Sequence, residues 1–116
     1  MRNDKENFIV TLTFEFALDI ITFCEELESQ KKFAIARQLI RCGTSIGANV
    51  REAQNAESKA DFIHKIKIAA KEADETEYFL LLCQFSNTYP FEPVLLNKLS
   101  VIIKVISKII SSSKSN

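Results

Sequence analysis

Read in steps of three and four, residues 37–57 place Leu39, Gly43, Ile46, Val50 and Ala53 along one side. That spacing is the apolar stripe of an amphipathic α-helix, and the glycine within it lets a partner backbone come close. A shift of two positions turns a helix by about 200°, so Arg37, Arg41, Thr44, Ala48 and Arg51 form a row facing the other way. The same period recurs three more times. Phe16, Ile20, Phe23 and Leu27 form the first stripe, with Ala17, Ile21 and Cys24 widening it. Phe62, Ile66, Ala69, Ala73, Thr76, Leu80 and Cys83 form the third, and Leu95, Leu99, Ile102, Ile106 and Ile109 the fourth.

The boundaries follow from local chemistry. Val10 to Phe16 alternates as a strand would, and helical spacing takes over from Thr13, whose hydroxyl suits an N-cap. The first helix is therefore expected from about residue 13, with residues 1–12 an N-terminal arm. Ser29 to Lys32 is a polar connection. The second helix is expected from Phe33 to Ala56, and the third after Ser58, which with Asp61 approximates a capping box. Asn87 to Pro93 is the emphatic break, with Pro93 fitted to the first turn of the fourth helix. Residues 111–116 are serine-rich and expected to be a disordered tail, leaving 13–110 as the bundle.

Two glycines and two prolines in 116 residues leave few places for turns, which favours long helices over a sandwich or barrel. The expected fold is all-α: an antiparallel, up-down-up-down four-helix bundle. Ala69 and Ala73 are small enough to match Gly43 and Gly47, so the second and third helices are expected to pack closely. Asn49, beside Val50, is a candidate for a register-setting hydrogen bond inside the bundle. Apolar residues exceed one stripe per helix: Phe8, Phe14, Leu18, Phe79, Leu81, Leu82, Phe85, Val101 and Ile103 lie at its edges or beyond, part of them expected to fill a broad core and the rest to be exposed. Surplus of this kind marks an interface, and self-association is the economical reading.

Zero net charge argues against a dedicated, tight nucleic-acid binder, although the charges are segregated. Residues 1–30 carry a net −5 and residues 31–71 a net +6. Arg37, Arg41 and Arg51, with Lys67 and Lys71 beside His64, are the candidate nucleic-acid-binding set. That reading requires the outer faces of helices two and three to merge. Cys24, Cys42 and Cys83 are scattered and odd in number, which suits buried free thiols in a reducing compartment and a cytoplasmic protein. Leu99 to Ile110 is broken by serines and lysines and cannot span a bilayer, so no membrane partner is expected.

Catalytic chemistry finds no foothold. His64 is the single histidine, and neither a phosphate loop, a zinc spacing nor a nucleophile–base pair is present. No cofactor, metal or small-molecule substrate is expected. A metalloenzyme around His64, Glu72 and Glu75 is the rival reading, and an interaction module without nucleic acid is another.

Gln38-Leu39-Ile40-Arg41-Cys42-Gly43-Thr44-Ser45-Ile46-Gly47-Ala48-Asn49-Val50 resembles the second-helix core of the four-helix bundle proteins encoded in intervening sequences of bacterial 23S ribosomal RNA. Asp61-Phe62, Ile68-Ala69 and the Glu75/Glu77 step are similar to that family's third helix, and Thr13-Phe14 with Phe16-Ala17 to its first. The resemblance implies a left-handed antiparallel bundle, commonly a homopentameric ring, without enzymatic activity. A more distant likeness, to retroelement accessory variability proteins, implies contact with nucleic acid or a nucleic-acid enzyme through a basic ring surface. Where the family commonly ends its second helix Ile-Ala-Glu-Gly, this chain has Val50-Arg51-Glu52-Ala53, so the helix is expected to continue. The combined expectation is a homo-oligomeric scaffold that offers a basic helix 2/3 face to RNA or a nucleic-acid enzyme.

Overall fold

The four periodic segments form four helices: α1 (Asp4–Ser29), α2 (Phe33–Ala53), α3 (Lys59–Phe85) and α4 (Pro93–Lys114). The structure, a computed structural model, describes the backbone of residues 4–114 and the side chains of residues 8–114. Each helix packs on the next, and α4 returns to α1, with no diagonal contact among the described residues. The body measures 47 × 20 × 19 Å, as four long helices laid side by side require.

The α1 start differs from expectation. The helix begins at Asp4, not near Thr13, so what was read as an arm is helical from residue 4 onward. Ile9 is fully buried and extends the Phe16/Ile20 stripe by two turns, which outweighs the local alternation. Thr13 is accordingly no cap. It lies buried in mid-helix, where its hydroxyl donates to the Ile9 carbonyl at 2.7 Å. At the other end, Lys31 takes a left-handed φ of 63°. Its N–H reaches the Glu28 carbonyl, and the Lys32 N–H reaches that of Leu27, a Schellman closure with lysine where glycine is usual.

The second helix stops at Ala53, short of Ala56. Beyond it the N–H groups of Gln54, Asn55 and Ala56 turn to carbonyls three residues back, tightening the chain into a turn. Ser58 caps α3 as expected, its Oγ accepting the Asp61 N–H at 3.0 Å. The Asp61 carboxylate accepts the Glu57 N–H at 3.1 Å, one residue earlier than an ideal capping box. The last helix continues through the serines to Lys114 rather than ending at Ile110. Residues 115–116 lie outside the described residues.

The predicted stripes meet in one core, with Leu39, Ile46, Val50, Ile66, Leu80, Leu99 and Ile102 fully buried. Ile21 does not join them and is exposed. Gly43 and Gly47 do bring helices together, but the partner is α1, not α3. A Cβ on Gly43 would lie 2.9 Å from Ile20 Cγ2, and one on Gly47 would lie 3.2 Å from the Thr13 carbonyl oxygen. Ala69 and Ala73 are buried in the core. Asn49 is half-buried, and its amide donates to the Ser45 carbonyl of its own helix at 2.9 Å rather than across the bundle.

Candidate interaction surface

The outward row of α2 divides into two environments. Arg41 turns toward α3, where its guanidinium pairs with Glu75 and, at 3.4 Å, with Glu72. Partial desolvation works against the charged form, but the charge and hydrogen bond of Glu75 and the charge of Glu72 outweigh it and raise the Arg41 pKa. The cation at the centre of the row is thus matched by two carboxylates. One end of the same seam is closed by Lys65 on Glu52 at 3.1 Å.

Arg37 and Arg51 remain exposed on α2, and His64, Lys67 and Lys71 on α3. Among the described residues none of these five enters an ion pair. Between the two rows lie Glu72, Glu75 and Glu52, so the basic faces flank an ion-paired seam instead of merging. The sequence reading missed this because the glutamates carry no periodic signal tying them to Arg41.

Arg51 leans to the α1 side. There Val10, Phe14, Ala17, Thr44, Ala48 and Arg51 line a groove of about 440 Å³ between α1 and α2. Small residues on α2 make its floor, and Phe14, 58% exposed, stands in its wall. Leu18 and Ile21 continue the exposed apolar surface along α1. A second exposed apolar area lies near the end of α3, where Tyr78, Leu81, Leu82 and Phe85 reach solvent, Phe85 at 78% exposure. Phe14, Leu18, Leu81, Leu82 and Phe85 were legible as surplus in the sequence. Ile21 was not, because it sits one position from a core stripe.

The interior offers little chemistry. Its buried polar side chains, Thr13 and Thr76, each donate to a carbonyl four residues back in their own helix. Burial, reinforced by Glu28, pushes the Cys24 thiol up to about 12, and burial raises Cys83 to about 11 and raises Cys42 as well. Protonated thiols neither attack nor ligate at neutral pH. His64 is exposed, and Glu72 and Glu75 are held by Arg41. Among the described residues no three His, Cys, Asp or Glu side chains could hold a metal, and no helix is long and apolar enough to cross a membrane.

No curated protein matches the chain. Among solved structures, it is similar to a protein of unknown function from the S23 ribosomal protein family of Bacteroides thetaiotaomicron VPI-5482. The two are 41% identical with a TM-score of 0.87, over 92% of this chain and 98% of the other. The family model of the 23S rRNA-intervening sequence protein matches residues 5–112. With four helices, the second-helix motif and near full-length agreement in hand, the chain belongs to the 23S rRNA-intervening sequence protein family.

Proposed function

We propose that this protein is a non-enzymatic, homo-oligomeric helical scaffold of the cytoplasm, assembled as a five-membered ring of left-handed, antiparallel bundles. The antiparallel course is supported by side-chain pairing. Moving up α2 from Arg41 to Glu52, the partners on α3 move down from Glu72 and Glu75 to Lys65. The observation that carries self-association is the outer face of α1. Phe14, Leu18 and Ile21 are exposed there beside a groove floored by small residues. An apolar area of this kind on a charged helical protein is stabilised by being covered. Phe14→Glu with Leu18→Glu is expected to reduce the assembly to single chains of 13.2 kDa while leaving helicity intact, since both side chains are exposed. An unchanged assembly would contradict this use of the α1 face. Size exclusion with circular dichroism reads both quantities.

A second reading rests on the exposed cations Arg37, Arg51, Lys67 and Lys71, none of which enters an ion pair among the described residues. Repeated around a ring, they would hold RNA or a nucleic-acid enzyme by multivalent contact. Because Arg41 is matched by two glutamates, Arg41→Ala is expected to leave RNA affinity within about twofold. Lys67→Glu with Lys71→Glu is expected to lower it by about tenfold or more and to flatten its salt dependence. RNA affinity that ignores both changes would remove this reading and leave an interaction module without nucleic acid.

A further inference from the structure

Self-association, the premise here, requires that particular surfaces meet, and among the exposed apolar residues, which also include Phe33, Val94 and Val101, two areas are unlike in shape. One is concave: the α1/α2 groove, with Phe14 in its wall, Thr44 and Ala48 in its floor, and Arg51 at one end. The other is convex: Tyr78, Leu82 and Phe85, which with Asp74 recur at steps of four, four and three along α3 and so share one face. Arg51 closes one end of the groove, and Asp74, opposite in sign, lies one turn before Tyr78 on the α3 face, with Lys71 a further turn back. Among the described residues neither Arg51 nor Asp74 enters an ion pair.

We infer that the C-terminal half of α3 from one copy docks into the α1/α2 groove of the next. Asp74 then meets Arg51, and the Tyr78, Leu82 and Phe85 face covers Phe14, Leu18 and the small-residue floor. Because the two surfaces differ, the contact is head-to-tail, which propagates from copy to copy and closes a ring when the rotation allows. A groove meeting its own symmetry mate would instead leave the α3 aromatics in water.

The test is complementation. A groove variant carries Phe14→Glu and Leu18→Glu, and a stripe variant carries Tyr78→Glu and Phe85→Glu. Each alone is expected at the mass of one chain, 13.2 kDa. Mixed one to one, the intact stripe of the first fits the intact groove of the second, and light scattering is expected to show a species of two chains and nothing larger. If the wild type assembles and the mixture stays monomeric, the docking is overturned while self-association stands. A monomeric wild type overturns both. A charge exchange gives an independent readout that needs no apolar change. Arg51→Asp and Asp74→Arg are each expected to raise the dissociation midpoint by about tenfold, and the double variant to recover most of it. Losses that simply add in the double variant would contradict the pairing.

Discussion

Truncating Phe16 to alanine is expected to lower the unfolding free energy by about 3–5 kcal/mol, the usual cost of removing a fully buried phenylalanine. Phe16 is 1% exposed in the middle of the core, between Ile9 and Ile20 on the same stripe of α1. Its loss removes a large transfer term and leaves a cavity that rigid helices cannot fully close. A domain of this size has only about 5–15 kcal/mol in total, so the melting temperature should fall by about 10–25 °C at fixed protein concentration. In dissociated chains, Phe14→Ala, two residues away on the outer face, should cost under about 1 kcal/mol. Equal losses at the two positions in dissociated chains would mean that the assigned face of α1 is wrong.

Gly43→Leu is the second large effect, expected at about 3 kcal/mol or more. A Cβ there already falls 2.9 and 3.0 Å from the branch carbons of Ile20, a fully buried side chain whose branch point sits too near its own backbone to swing aside. A leucine can be placed only by moving α1 away from α2, which opens the core on both sides. Gly43→Ala makes a useful contrast. Alanine places its Cβ at the same 2.9 Å from Ile20, so the roughly 1 kcal/mol of helix propensity it gains offsets only part of the clash. Thermal melts of both variants should therefore show a measurable loss for alanine and a larger one for leucine. A leucine variant as stable as the parent would contradict the close α1/α2 approach.

Much of this fold is written in the spacing of its apolar residues. The stripes at Leu39, Ile46 and Val50, at Ile66 and Leu80, and at Leu99 and Ile102 are the stripes that the structure buries. Cap chemistry at Ser58 and the proline at the start of α4 were equally readable. The misreadings share a cause, which is that local pattern competes with tertiary contact. Residues 10–16 alternate like a strand, yet burial of Ile9 carries the helix back to Asp4. Gly43 and Gly47 announce a close approach but not the partner, and only the assembled bundle assigns them to α1.

The candidate site was less legible for a related reason. A row of arginines on a helix looks the same whether it faces water, carboxylates or an apolar groove. Arg41 meets Glu72 and Glu75, Arg51 lines the groove, and Arg37 stays exposed without an ion pair among the described residues. Nothing within α2 itself distinguishes the three. Their fates depend on which helix lies to either side, and that information resides in α1 and α3.

Absolute mass in solution, by light scattering coupled to size exclusion, tests the central claim of self-association most directly. The account predicts a single species of the wild-type protein at about five times the chain mass of 13.2 kDa. A homogeneous species of one chain across the accessible concentration range would contradict it.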